Sequence, residues 1–216
     1  NSKQTVAKRG IAIIRLYGKT TIVTGGASGF GAGIVDKFLS EGARVAIVDI
    51  NGEAAREYAK LKGDNAFAIE ANVASGESVK NMVETAISEF GKIDILVNNA
   101  GITRDGTIHK MNQDNWKAVL DTNLGSCFNM CRNVIDSMRE QGFGRIVNIG
   151  SMWAKQAVAA TPSSAYSMAK AGLHALTQHL AMELAADQIR VNAVAPGFTM
   201  TEMVQKIPEA HFEAIK

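Results

Sequence analysis

Cysteine, proline and excess charge are all scarce in this chain of 216 residues, and each scarcity excludes something. The two cysteines, Cys127 and Cys131, cannot build a disulfide scaffold, and with no His or acidic partner at ligand spacing they do not compose a zinc site. They read as small core residues one helical turn apart, and no metal is expected. Pro162, Pro196 and Pro208 stand isolated, so no proline-rich linker marks a domain boundary. No window approaches the roughly 18 apolar residues of a membrane span, and the run Ile11 to Ile14 is cut short at Arg15, too brief for a signal peptide. Lys plus Arg number 23 against 21 Asp plus Glu, a net +2, which gives no field to attract nucleic acid or an anionic membrane. The expectation is a cytoplasmic protein that recognises small molecules through local sites.

What is present is core material. A hydrophobic content of 46% fills a sizeable interior, and at roughly 150 residues per domain the length suits one domain. We place it at residues 18–216, behind an N-terminal tail of residues 1–17. Short β-branched runs (Thr20 to Val23, Arg44 to Val48, Ala66 to Ile69, Ile93 to Val97, Arg145 to Ile149, Arg190 to Val194) alternate with helical periodicity near residues 31–41, 52–62, 76–90, 112–140 and 164–186. Such alternation predicts right-handed crossovers and an α/β fold: a doubly wound, mostly parallel sheet with helices on both faces.

The first strand runs into Thr24-Gly25-Gly26-Ala27-Ser28-Gly29-Phe30-Gly31, and an amphipathic helix follows. Glycines between a buried strand and a helix let the backbone approach a pyrophosphate, whose charge meets free N–H groups and the positive helix end. The competing reading is a tight turn with no ligand. No Lys-Ser/Thr follows the glycines, which excludes a Walker loop. The second strand ends at Asp49, 18 residues after Gly31. An acid there accepts both ribose hydroxyls of an adenosine. It would repel a 2′-phosphate by about 4 kcal/mol at about 4 Å in an effective dielectric near 20, so NAD is expected ahead of NADP.

Residues 112–140 carry an apolar stripe of Trp116, Leu120, Cys127, Met130, Val134 and Met138. Asn123 lies on it, an amide either satisfied by local backbone or retained for a site. Further apolar residues off the stripe (Val119, Leu124, Phe128, Ile135) suggest a second buried face against another subunit. The fifth strand delivers Ser151 at its carboxyl end, and 15 residues on comes Tyr166-Ser-Met-Ala-Lys170. Tyr and Lys at i and i+4 share a helix face. A phenol must fall by about 3 units to serve as a base at neutral pH, a shift that a close ammonium together with an oxidised nicotinamide can supply.

Thr24 to Gly31, Asn98-Asn99-Ala100-Gly101, Asn123, Ser151, Tyr166-x-x-x-Lys170 and Pro196-Gly197 together resemble the short-chain dehydrogenase/reductase family, in the family's order from about residue 18 to the end. The resemblance implies hydride transfer between a nicotinamide and a carbonyl or secondary alcohol. It implies Tyr166 as acid/base, Lys170 on the ribose, Ser151 polarising the carbonyl and Asn123 holding a relay water. It further implies cofactor contacts from Gly25, Ser28, Gly29, Phe30, Gly31 and Asp49, from Asn72 and Val73, from Asn99, Ala100 and Gly101, and from Pro196, Gly197, Thr199 and Thr201. Gly101-Ile-Thr-Arg-Asp105 and Phe143-Gly-Arg-Ile-Val-Asn148 resemble the 3-oxoacyl-thioester reductases, acetoacetyl-CoA reductases included. A dehydrogenase of a small or cyclic secondary alcohol or sugar is the alternative, and an inactive dinucleotide-binding fragment is a second. The family's habit implies a homotetramer. Three features depart from the pattern: Asn72 replaces the usual Asp, Ser151 and Tyr166 are unusually far apart, and Asp49 opposes the NADP preference common among thioester reductases. The chain also stops early for the family, so its last strand is expected to be missing.

Overall fold

In the computed structural model, which describes residues 14–157, 162–197 and 199, strands and helices alternate throughout. They are β1 (Thr20–Thr24), α1 (Gly29–Ser40), β2 (Arg44–Asp49), α2 (Gly52–Lys62), β3 (Ala66–Glu70), α3 (Gly76–Phe90), β4 (Ile95–Asn98), α4 (Gln113–Leu120), α5 (Ser126–Glu140), β5 (Gly144–Ile149), α6 (Ser164–Glu183) and β6 (Ile189–Val194). All five strand pairings are parallel, in the order β3-β2-β1-β4-β5-β6. The chain reverses its direction of winding between β1 and β4, the place where open α/β sheets form a crevice at their carboxyl ends.

The strands read as unbroken apolar runs because both faces are covered. Adjacent residues go to opposite cores: Ile22, Leu96 and Ile146 pack with α3 and α5, whereas Val23, Ile47 and Val97 pack with α1 and α2. At the amino edge of the sheet, Asp94 accepts from the Thr20 N–H at 3.0 Å and pairs with Lys92 at 3.1 Å and Lys19 at 3.6 Å. Burial would raise this carboxyl, but those partners outweigh it and hold it below its usual range. β4 starts at Ile95, two residues after the expected Ile93. Residues 14–17 dock on the end of α1, where Leu16 donates its N–H to the Glu41 carbonyl and Arg15 pairs with the Glu41 carboxylate at 2.8 Å.

The expected helix over residues 112–140 is two helices joined by one π-helical turn, Asp121–Gly125. In that turn the Ser126 N–H reaches back five residues to the Asp121 carbonyl. One extra residue rotates everything before it by about 100° relative to everything after it. Cys127, Met130, Val134 and Met138 are buried as expected, but upstream the stripe moves by one: Val119 is fully buried, while Trp116 and Leu120 are only half-buried. The surplus apolar residues are largely used within the chain. Val119 and Ile135 join the core and Leu124 covers Gly172, which leaves Phe128 exposed.

Candidate active site

The carboxyl ends of the strands gather the chemistry. The Gly loop leaves β1, Asp49 ends β2, Asn72 and Val73 follow β3, Asn99 to Gly101 follow β4, Ser151 follows β5, and Pro196 and Gly197 follow β6. In the loop, Gly25 has φ +62°, a left-handed conformation that favours glycine. Gly31 is glycine for a different reason: a Cβ there would lie 1.9 Å from the Gly25 carbonyl oxygen, so the first turn of α1 folds directly onto the loop. Side chains cap α2 (Asn51), α3 (Ser75) and α4 (Asn112), but no side chain caps α1 at Ser28. Its leading N–H groups therefore face an open cradle, with nothing within 4 Å of where a Gly29 Cβ would sit.

Asp49 is tied to this loop, accepting from the Ala27 N–H at 3.2 Å and the Asn51 N–H at 3.1 Å. A carboxylate has about four acceptor positions, so two remain for a diol. Asn99 does not point outward to a nucleoside. Its Nδ2 donates to the carbonyls of Thr24 and Gly25 at 2.9 and 3.1 Å, which locks the end of β4 to the Gly loop. Thr24 Oγ1 completes the clasp by accepting from the N–H groups of Asn99 and Ala100. Asn72 is exposed and uses its Oδ1 on the Ala74 N–H at 3.0 Å, while Val73 is buried and its carbonyl accepts from Asn129. Phe30 and Thr199 are exposed, Pro196 accepts from the Met152 N–H at 3.0 Å, and Thr201 lies outside the described residues.

On the other side of the crevice, Ser151 is buried and accepts from the Trp153 N–H at 3.2 Å, and its hydroxyl lies near enough to the Tyr166 phenol to lower it. Lys170, 4% exposed, lies one turn along α6, with Nζ 5.7 Å from the Tyr166 ring centroid and donating to the Ile149 carbonyl at 2.6 Å. Burial pushes the phenol above its ordinary value, the Ser151 hydrogen bond pulls it back, and the charge of Asp105 pushes it up again. The chain by itself, with no nicotinamide charge beside the ring, thus holds the phenol above its ordinary value. Burial outweighs the Ser151 bond, and the Lys170 ammonium is directed at a backbone carbonyl. Burial lowers Lys170 itself.

Asn123 sits in the π turn, and its amide is satisfied by backbone that is not local. Its Nδ2 donates to the Ile102 carbonyl at 2.8 Å and its Oδ1 accepts from the Ile102 N–H at 2.9 Å. This double clasp holds the loop between β4 and α4, which is also pinned to the entry of α6 by the Gly106 N–H on the Pro162 carbonyl. Gly101 must be small, since a Cβ would come within 2.7 Å of Asn123 Oδ1.

The sequence matches the short chain dehydrogenase family over residues 19–211. The chain belongs to the short chain dehydrogenase family. It is therefore an oxidoreductase with the family's dinucleotide-binding fold. It is 43% identical over 194 residues to a 3-oxoacyl-[acyl-carrier-protein] reductase of Chlamydia pneumoniae, covering 88% of this chain and 77% of that protein. To an acetoacetyl-CoA reductase of Cupriavidus necator it is 42% identical over 190 residues, covering 86% and 76%. Among solved structures, the 3-ketoacyl-(acyl-carrier-protein) reductase of Brucella melitensis complexed with NADH superposes with a TM-score of 0.84 at 33% identity, covering 89% of this chain and 80% of that one.

Sequence reasoning had no reason to single out several members of this short-chain dehydrogenase site. Asn98 Nδ2 donates to Asn148 Oδ1 at 2.9 Å, and Asn148 Nδ2 donates to Thr177 Oγ1 at 2.9 Å, a buried polar chain joining β4, β5 and α6 beneath the crevice. Asp105 is another, noticed only as part of a motif, although its charge reaches the phenol. Alcohol oxidation requires the phenolate, so Asp105→Asn should move the rise of the oxidation rate to lower pH. A pH profile identical to the parent's would show that Asp105 does not act on Tyr166.

Proposed function

We propose that this enzyme reduces 3-oxoacyl thioesters to the 3-hydroxy compounds with NADH in preference to NADPH. The observation that carries the reading is the Ser151 hydroxyl on the Tyr166 phenol, with Lys170 behind them, at the same sheet edge as the Gly loop and Asp49. The residues fit a dinucleotide: the uncapped end of α1 and the open space at Gly29 suit a pyrophosphate, and Asp49 suits a ribose diol. When bound, the nicotinamide supplies the hydride in reduction and accepts it in oxidation. Ser151 and Tyr166 hold the substrate oxygen, and Tyr166 gives it the proton that makes the alcohol. Lys170 holds the ribose, and Asn123 orders the loop over the site and holds the relay water. The names of the Chlamydia and Cupriavidus relatives support the thioester, and the NADH of the Brucella structure supports a nicotinamide cofactor without the 2′-phosphate.

A small or cyclic secondary alcohol or sugar is the second reading, favoured by Asp49 and by the long stretch from Ser151 to Tyr166. Assays of 3-oxoacyl thioesters and secondary alcohols with both cofactors separate the two, and no turnover on any of them would favour an inactive dinucleotide-binding fragment. We place the enzyme in the cytoplasm, in keeping with its two free buried thiols, and read it as a homotetramer with Phe128 on a subunit contact.

Cofactor choice gives the sharpest test. NADH should bind well ahead of NADPH in calorimetry, and Asp49→Ala should narrow the gap by removing the carboxylate that repels a 2′-phosphate. Tighter binding of NADPH by the parent protein would overturn the assignment of Asp49.

A further inference from the structure

His174 lies one turn beyond Lys170, so Tyr166, Lys170 and His174 form a single row on α6 at successive i+4 steps. All three meet the carboxyl end of β5. Tyr166 meets Ser151, Lys170 meets the Ile149 carbonyl, and the His174 ring lies over Gly150. A Cβ on Gly150 would come within 2.3 Å of His174 Nε2 and 3.0 Å of its Cδ2. Gly150 is not among the residues with positive φ, so backbone freedom does not account for this glycine. Space does.

Nor does hydrogen bonding account for the histidine. Nε2 is buried and has no partner among the described residues, a placement that costs about 1–3 kcal/mol for a polar atom. What the ring does provide is volume, at the junction of α6, β5 and the end of β6, where the Gly150 N–H donates to the Val194 carbonyl at 2.7 Å. The ring and the bare Cα of Gly150 together set how close α6 comes to the tip of β5. One residue after Gly150 is Ser151, and two turns before His174 is Tyr166.

We propose that His174 and Gly150 form a size-matched spacer that holds Ser151 against Tyr166, which makes His174 a positioning residue for the acid–base pair. The inference rests on the roles given above to Tyr166 and Ser151. A side chain at position 150 displaces the buried His174 ring, and with it the row on α6 that sets Tyr166 against Ser151. Removing the ring frees the space again. The other neighbour of a Cβ at position 150, the Val194 carbonyl oxygen at 3.1 Å, needs to give by only a few tenths of an ångström.

The test compares the parent with Gly150→Ala, His174→Ala, the double variant, His174→Gln and Tyr166→Phe. Each is assayed with acetoacetyl-CoA and NADH or, where that thioester is inert, with the fastest of the substrates above. Gly150→Ala should lower kcat by about 100-fold, the scale of a misplacement near 1 Å, with NADH affinity within a few-fold of the parent. It should also displace the rise of alcohol oxidation to higher pH, because the phenol loses the hydrogen bond that lowers it. The double variant should recover to the level of His174→Ala, a coupling that two independent lesions would not show. A double variant as slow as Gly150→Ala, or a Gly150→Ala protein with the kcat of the parent, overturns the spacer. If neither Gly150 variant folds, the His174 pair decides: Gln should stay near the parent in kcat and pH profile and Ala should not, and equal behaviour of Ala, Gln and His overturns it. Tyr166→Phe separates the two layers of the argument. Activity retained there rejects the acid–base roles, whereas an inactive Tyr166→Phe protein without the coupling rejects the spacer alone.

Discussion

Tyr166→Phe should abolish measurable turnover while leaving NADH affinity within a few-fold of the parent. In the proposed mechanism the phenol moves a proton to or from the substrate oxygen, and a positioned acid or base contributes about 10²–10⁴-fold. The change also removes the acceptor of the Ser151 hydroxyl, so the two residues that hold the substrate oxygen fail together. The proposed cofactor contacts lie elsewhere, in the Gly loop, Asp49 and Lys170, and the aromatic ring that fills the half-buried position remains. Steady-state kinetics with fluorescence titration of NADH measures both quantities. Substantial turnover in the Phe protein would reject the mechanism.

Lys170→Met should do two opposite things. Activity and cofactor affinity should both collapse, because the ammonium is the group in reach of both ribose and phenol, and the loss should exceed that of any other single change except at Tyr166. Stability should rise. Burial lowers Lys170 below its unfolded value near 10.5, so the ammonium is less favourable in the folded chain than in the unfolded one. That penalty is complete below the lowered folded value and vanishes above the unfolded one. Methionine fills similar space with no charge. The cost of leaving the Ile149 carbonyl without its Nζ donor, about 1–3 kcal/mol, is smaller than the several kcal/mol of a buried ion with one carbonyl partner. The midpoint of thermal unfolding at pH 7 should therefore increase by a few degrees, at about 2–4 °C per kcal/mol for a chain of this size. A lower midpoint would show that the ammonium is well solvated or paired in the folded protein.

The strands were legible because a parallel sheet covered on both faces writes itself as apolar runs, and all six fall where those runs lie. The long helix was legible in extent and not in phase. A single π turn is invisible to a 3.6-residue stripe, since residues on either side keep their period and only their relation changes, as the exchange of Leu120 for Val119 shows. The site residues were legible as types at spacings. Their partners were not, because partnership is a property of distant segments. Nothing near Asn123 in sequence names Ile102, and nothing near Asn99 names Thr24. The burial of the phenol was hidden for a related reason: an ammonium four residues away is visible in the sequence, but the distant segments that bury the ring are not. His174 had a signal that could have been read, its i+4 step beyond Lys170.

The order of the strands also bears on how the protein is made. β1 is synthesised first yet lies inside the sheet, with β2 on one side and β4 on the other. A ribosome that has just finished β3 has produced a three-stranded unit whose Thr20–Thr24 edge still waits for Ile95–Asn98. The hydrogen bonds that close that gap, Thr20 to Asp94 among them, span 74 residues. Through that interval the nascent chain shows an apolar, unpaired strand edge, the template on which chains aggregate. A pause in translation between residue 70 and residue 98 prolongs that exposure of β1, before Ser151, Tyr166 and Lys170 have been made.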